Sequence, residues 1–450
     1  MKRSLLWITI LIISMSLLAT FSLFGCKEEE VAEEEEAVAE EEEAVAEEAP
    51  AEETTASEVI TLRFQDWRLS EETPSKIADE LIADFEKENP NIKIELDPVT
   101  YDDHVEKFST QAMGGAPPDI VAVVISDIPQ LASQLLDLTK YVKDSGIMSL
   151  IYPNLDGFCL HEGKYYGIPL NVASAEALYI NVELFEKAGL DPNKPPIYWE
   201  DVLEYGKKMT GNGVYGYVTP GKADMNALTY IYPVLLQSGK PLKTEEDWKN
   251  NLNTSEVLKQ FSFYMNLYLK EKIVPNPLDI DFREAQTLFA QEKLGIYPGG
   301  PWNIGGILEK NPAMKDKMRV VNYPYPKGGK PVVTIDGSNY VIAKDTKHPE
   351  EAWKFALYMS SEKAQALNLT AGFLPSIQSI DLSEEYLKNN PLMKAYVDQI
   401  SIGQTRLVSV HYNEVAKIMW EEEQKAWAGS QTPEQALKNA SERINQVFAK

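Results

Sequence analysis

Apolar and polar positions divide the chain into three stretches of different character. The first follows Lys2 and Arg3 and runs from Leu5 to Phe24 as an apolar segment interrupted by small hydroxyl residues such as Ser14, Ser16, Thr20 and Ser22. The second, residues 28–58, alternates Glu runs with Ala and Val, as in Ala37-Val38-Ala39-Glu40-Glu41-Glu42-Glu43. From Val59 onward the pattern is that of a packed body. Val59-Ile60-Thr61-Leu62-Arg63-Phe64 reads as a strand, Thr73-Pro74 as a helix start, and Ile77, Leu81, Ile82 and Phe85 as the apolar stripe of that helix. Ile92-Lys93-Ile94-Glu95-Leu96 alternates as a second strand, which completes a strand–helix–strand unit with an expected right-handed crossover. Ile120-Val121-Ala122-Val123-Val124-Ile125 is apolar throughout, the pattern of a strand covered on both faces. These periodicities predict an α/β fold.

The first stretch has the layout of a signal peptide: a positive start, an apolar run and a short polar exit. A membrane-spanning helix of about 20 residues is the alternative. The run ends in Leu23-Phe24-Gly25-Cys26, which resembles a bacterial lipobox. That resemblance implies cleavage before Cys26, acylation of its thiol and a body held outside the cytoplasm. Residues 1–26 are then the signal and residues 27–58 a tether.

Charge separates the tether from the body. The tether carries sixteen Glu against Lys27, a net of about −15, and of the chain's −26 some −13 falls on residues 59–450. A block so charged repels itself and buries too little apolar surface to fold, so an extended or partly helical spacer is expected. The acidic body shows no basic stripe of the kind nucleic-acid binding needs. With Cys26 lipidated, Cys159 is the other cysteine, which leaves no intramolecular disulfide. Its setting in Phe158-Cys159-Leu160 is that of a small buried hydrophobe. Stability must come from cores, and the roughly 390 remaining residues suffice for two or more.

Open parallel sheets bind ligands beyond the carboxyl ends of their strands. There the sequence places Gln65-Asp66-Trp67-Arg68 and Ser126-Asp127. An aromatic plane beside carboxylate, amide and guanidinium groups suits a sugar, whose C–H face packs on Trp while paired hydroxyls take bidentate bonds. A solvated turn is the other reading of each residue, and Arg68 could pair with an acidic sugar.

Several segments carry a wider resemblance. Asp84-Phe85-Glu86-Lys87-Glu88-Asn89-Pro90-Asn91-Ile92, Gly114-Gly115-Ala116-Pro117-Pro118-Asp119-Ile120 and Gly167-Ile168-Pro169-Leu170-Asn171 ahead of Ala177-Leu178-Tyr179-Ile180-Asn181 come in order. Pro298-Gly299-Gly300-Pro301-Trp302, the stretch from Gly337-Ser338-Asn339 to His348-Pro349-Glu350-Glu351-Ala352, and Gly429-Ser430-Gln431-Thr432-Pro433 follow. Together they resemble the extracellular solute-binding proteins of ABC importers, in the maltose-binding-like branch.

The resemblance implies a periplasmic-binding-protein-like fold with two α/β lobes and a ligand cleft between them that closes by a hinge. It implies crossings near Tyr166 to Asn171, near Val320 to Pro324 and near Gly372. Lobe one would take residues 59–168 plus about 325–371, and lobe two about 169–324 plus 372–450. It implies a carbohydrate ligand, permease subunits as partners, no cofactor and a monomer. For the site it implies Trp302 as a stacking platform exposed by the Gly299-Gly300-Pro301 turn, and Asp127 as a holder of sugar hydroxyls. Asn171 with Ser174, Asn226 with Tyr230, Asp336 with Ser338 and Asn339, and His411 with Tyr412 would line the same cleft, beside Trp67 and Arg68.

Other features have plainer readings. Trp199-Glu200-Asp201 opens a helix, where acids favour the dipole. Gly211-Asn212-Gly213-Val214-Tyr215-Gly216 matches a dinucleotide pattern but follows a helix and precedes a strand, the reverse of what that site requires. His104, His161, His348 and His411 are too scattered for zinc. A surface glycosidase is an alternative, since any two carboxylates could converge in a cleft; no G-x-S-x-G, H-E-x-x-H or phosphate loop is present. A binding protein used in sensing is a third.

Overall fold

The computed structural model describes residues 59–449 apart from 71, 156, 175, 223–226, 241, 243–247, 249–250, 381 and 406. The signal, Cys26, the tether and Asn226 therefore lie outside the described residues, as do the side chains of Glu72, Thr73, Ala173, Ser174 and Ala227.

The expected strand–helix–strand unit forms. Strand β1 (Ile60–Asp66) pairs in parallel with β2 (Ile92–Pro98) in a register that sets Leu62 opposite Ile94. Between them the helix Glu72–Glu88 carries Pro74 in its first turn, where a missing N–H does no harm. Its spacing puts Ile77, Leu81, Ile82 and Phe85 against the sheet. Phe355, from the helix Pro349–Met359, packs edge-on to Phe64 at 5.2 Å and Phe85 at 5.0 Å. Such pairs add about 0.5–1.5 kcal/mol each beyond burial.

Strand β3 (Ile120–Val124) is buried along its whole length, as its unbroken apolar run required. It is parallel to β1 and antiparallel to the long β10 (Val333–Ile342), which in turn pairs antiparallel with β6 (Gly167–Ser174). The large sheet reads β11–β6–β10–β3–β1–β2, with β11 spanning Leu374–Pro375, and β12 (Gly403–Thr405) adds to β10. A short hairpin of β4 (Leu160–His161) and β5 (Lys164–Tyr165) precedes β6. In a second sheet, β7 (Ala177–Asn181) lies between β8 (Ile296–Gly299) and β9 (Met318–Asn322), both antiparallel to it.

The chain passes from the large sheet to the small one between Ser174 and Ala177, because β6 stays paired with β10 as far as Ser174. This lies a few residues beyond the expected stretch 166–171. The return falls between Asn322 and Val333, and the chain leaves the large sheet again after Pro375. One apolar cluster runs through this junction, joining Val123, Phe158 and Val172 to Ala177, Tyr179 and Tyr297. Another fills the helices Trp199–Met209, Ala227–Leu236, Ser255–Leu269, Tyr412–Trp427 and Pro433–Val447.

The helix-start reading of Trp199-Glu200-Asp201 and the turn reading of residues 211–216 hold. Trp199 is buried, donating to Gln237 Oε1 at 2.7 Å, and Asp201 accepts the Ile197 and Tyr198 N–H groups at its helix start. Gly211 and Gly213 take positive φ with Asn212 in a tight turn. Among the described residues no helix is long and apolar enough to cross a membrane, and no cluster of three His, Cys, Asp or Glu could hold a metal ion.

Candidate functional site

The parallel strands β1, β3 and β6 point their carboxyl ends to one edge of the large sheet. Register places Val124 of β3, Ser338 of β10, Asn171 of β6 and Pro375 of β11 side by side there. Strands β3 and β11 end at this row, while β10 and β6 run on past it. Asn171 Oδ1 accepts the Ser338 N–H at 3.0 Å, and Asp336 Oδ1 accepts the Gly337 N–H at 2.9 Å. Ser174, the last residue of β6, stands opposite Ile335.

Asp127 sits just past β3, with Oδ2 accepting the Val124 N–H at 3.0 Å and facing His104 Nε2 at 2.9 Å. Gln130 Nε2 approaches the other oxygen at 3.4 Å. The indole of Trp67, 8 % exposed, packs on the His104 ring at 4.8 Å and edge-on to Tyr101 at 5.6 Å. His104 opens the helix His104–Met113, and its carbonyl is held by Gln65 Nε2 at 3.0 Å. Sequence reasoning missed His104, since nothing in the spacing of positions 67, 104 and 127 announces their meeting. Burial opposes charge on this imidazole, but its bonds to Asp127 and to the Tyr101 carbonyl outweigh that and raise its pKa above the ordinary histidine value.

Two expected ligand contacts point elsewhere. Arg68 is 4 % exposed and pairs inside the body through Nε and Nη2. Its Nε donates to both oxygens of Asp66, its Nη2 to Asp66 and Tyr340, and its plane lies over the Tyr340 and Phe373 rings at 5.5 and 5.7 Å. A cation so desolvated must be paired, and Asp66 two residues earlier supplies the partner. Asn339 is fully buried with Oδ1 accepting the Cys159 thiol at 3.0 Å. Adjacent strand residues face opposite sides, and β10 shifts register between Ser338 and Asn339. Asn339 therefore joins the layer beneath.

The small sheet offers an aromatic platform. Trp302 is 38 % exposed, the most exposed tryptophan among the described residues. The turn beneath it is fixed from three sides: Tyr179 OH donates to the Gly300 carbonyl at 2.7 Å, Tyr396 OH to the Gly299 carbonyl at 2.8 Å, and Asn303 Oδ1 accepts the Gly300 N–H at 2.9 Å. The indole folds over Gly300 so closely that a β-carbon there would lie 2.3 Å from Trp302 Cη2. One face of the ring is thereby supported.

Contacts join the two regions. Asn413 Nδ2, in the helix that Tyr412 opens, donates to Gln130 Oε1 at 3.3 Å, and Arg283 Nη2 lies 3.8 Å from Asp102 Oδ2. Tyr412 is buried at that helix start, and His411 beside it stacks near Phe448 at 5.7 Å. Tyr230 is buried in the helix Ala227–Leu236, within electrostatic range of Tyr264 and Tyr297. The structure thus gathers Trp67, Asp127, Asn171, Asp336 and Ser338 on one edge, and Tyr412 is tied to that edge through Asn413, Gln130 and Asp127.

Known proteins share this architecture. The family model described as bacterial extracellular solute-binding protein matches residues 70–366. A binding protein of Brucella abortus is 26 % identical over 373 residues, covering 81 % of this chain and 88 % of that one. The diacetylchitobiose binding protein DasA of Streptomyces coelicolor is 24 % identical over 358 residues, covering 78 % and 80 %. Among solved structures, an ABC transporter solute-binding protein of Thermotoga lettingae bound with α-D-tagatose superposes with a TM-score of 0.76 at 25 % identity, covering 87 % of this chain and all of that one. The two-lobed α/β class expected from the sequence is the class these relatives share, and they are binding proteins rather than enzymes. With the family model matching residues 70–366, well over half its length, the chain belongs to the bacterial extracellular solute-binding proteins.

Proposed function

We propose that the chain captures a carbohydrate, a sugar or short oligosaccharide, between the polar edge of the large sheet and the Trp302 turn, and delivers it to an ABC permease. The observation that carries this reading is Trp302 itself: an indole exposed on a turn that three hydrogen bonds hold rigid. A large apolar ring is kept at a surface when something packs on it, and the C–H face of a sugar ring is a fitting partner. Asp127, Asn171, Asp336 and Ser338 would take hydroxyls, with Trp67 beside them. Because Arg68 is committed to Asp66, a neutral ligand fits the site better than an acidic one.

Lobe one then comprises the large sheet and lobe two the small sheet with the helices that bury Trp199, Trp248 and Trp427. Closure about the passages at 174–177 and 323–332 would sequester the ligand. Lipid on Cys26 and the acidic stretch 27–58 would hold the cleft near the permease.

Thermal shifts of the protein across a library of sugars and polyols test the proposal. A ligand at about a hundred times its dissociation constant adds roughly 2.7 kcal/mol. A library in which no carbohydrate moves the melting temperature sinks the sugar reading, and release of reducing ends on long incubation would contradict pure binding.

A further inference from the structure

We infer that His104, held as an imidazolium, is the positioning residue for Asp127 and makes the affinity of the cleft depend on pH. This rests on the reading of Asp127 as a ligand contact. His104 Nδ1 faces the carbonyl oxygen of Tyr101, which can only accept. Its Nε2 faces Asp127 Oδ2, which also accepts the Val124 N–H. Two acceptors satisfy the ring when both nitrogens carry hydrogen. A neutral imidazole would turn a lone pair on one of them, in a site where both side chains are largely buried.

The surroundings fit a charged ring. Asp127 faces it from the segment after β3, and Asp66 acts on it from the end of β1, though Asp66 is itself paired with Arg68. From the preceding turn come Tyr101 and Asp103, the latter engaged by Thr100. The Trp67 ring covers it at 4.8 Å. The consequence for binding is geometric. Oδ2 of Asp127 is pinned by two donors, which leaves Oδ1, met by Gln130 at 3.4 Å, as the oxygen able to receive a hydroxyl. Gln130 bonds Asn413 of the opposite helix, so the pinned carboxylate also aligns a contact that bridges the two regions. Loss of the ring proton sets a lone pair against either the Tyr101 carbonyl or Asp127 Oδ2 and removes the charge that strengthens the bond, which loosens the hold on both contacts.

Titrations of the full chain with α-D-tagatose, maltose and N,N′-diacetylchitobiose at pH 6 to pH 9 decide the matter. The dissociation constant of whichever probe binds is expected to rise roughly tenfold as pH passes through the range where His104 loses its proton. His104→Gln keeps a donor toward Asp127 without titrating, so its affinity should stay within a few-fold of the value at pH 6 and its profile should be flat. A flat profile for the unaltered protein, or an equal slope in H104Q, overturns the inference while leaving carbohydrate capture standing. Binding by none of the probes at any pH overturns the capture reading and takes the inference with it. Should H104Q not fold, nitrogen NMR of the imidazoles in the unaltered chain still decides: a His104 ring carrying a single proton at pH 6 overturns the proposal.

Discussion

Glu176 Oε2 accepts the backbone N–H of Thr334 at 2.7 Å, joining residues 158 apart in sequence. Glu176 lies on the passage from β6 to β7, and Thr334 near the start of β10, just after the return passage. Gln399 closes the knot: its Nε2 donates to the Glu176 carbonyl at 3.1 Å and its Oε1 accepts the Tyr323 N–H at 2.9 Å. Both passages are thereby tied to one another and to the helix Lys394–Gln399 that packs on β9.

Removing the acceptor tests this junction. Glu176→Ala leaves the Thr334 N–H buried without its carboxylate and should lower unfolding stability by about 1–3 kcal/mol. Glu176→Gln keeps a carbonyl oxygen and should lose less than half of that. Urea titrations of the two variants measure the difference. Equal losses would show that charge rather than the acceptor matters there.

Trp302 and Gly300 form a second test, because one supplies the platform and the other its support. Trp302→Ala should abolish the sugar-induced thermal shift and leave the melting of the unliganded protein within about 0.5 kcal/mol, as for surface substitutions generally. Gly300→Ala keeps the indole but sets a β-carbon 2.3 Å from Trp302 Cη2, so the ring must swing away. Binding should weaken about tenfold, a loss within the roughly 0.5–1.5 kcal/mol that aromatic geometry adds beyond burial. A collapse of unliganded stability in Trp302→Ala would make the residue part of the core.

The α/β class, the helix Glu72–Glu88, the buried strand β3 and the turn that leaves Trp302 exposed were legible in the sequence because each is local. An apolar run, a Pro at a helix start and a Gly-Gly-Pro turn announce themselves within a few residues. The buried pairings of Arg68 and Asn339 were not legible: Asp66 is only two residues from Arg68, but nothing local announces that the pair is buried, and the further partners Tyr340 and Cys159 lie 272 and 180 residues away. Polar residues at strand ends fit a ligand edge and a buried pair equally well, and only the packing separates the two. His104 was overlooked for the same reason, since its value depends on a carboxylate 23 residues away.

The two C-terminal helices are joined through a carboxylate with a definite acid response. Burial pushes the Glu422 pKa up, but Lys425, Gln431 and Arg443 overcome it and bring it down to about 2. Lys425 Nζ donates at 2.6 Å, Arg443 Nη1 at 2.7 Å and Gln431 Nε2 at 2.9 Å. A carboxylate with a depressed pKa in the folded state stabilises the fold above its unfolded value, near 4.3, and loses that contribution as pH falls toward 2. The contribution is largest at neutral pH and is reduced by solvent screening, because Lys425 and Arg443 are partly exposed. Glu422→Gln should remove most of it at pH 7 and bring the variant's stability close to that of the unaltered protein at pH 2. Unfolding free energies between pH 2 and pH 7 measure this, and parallel curves for the two proteins would contradict it.

Arg68 separates a structural role from a binding one. Were it a ligand contact, Arg68→Met would leave the unliganded protein unchanged and weaken binding. Because its guanidinium is buried against Asp66, Tyr340 and Phe373, the same change instead strands the Asp66 carboxylate in the interior. Breaking one side of a buried pair costs about 3–5 kcal/mol. Arg68→Met should therefore lower unfolding stability by that amount, and the remaining folded fraction should bind sugar with nearly unchanged affinity. Replacing both partners, with Asp66→Leu added to Arg68→Met, leaves no uncompensated charge and should recover most of the loss, since apolar replacements of buried pairs are often neutral. A double variant no more stable than the single one would mean that the hydrogen bond the Arg68 backbone N–H donates to Asp66 Oδ1, at 2.9 Å, carries the stability instead.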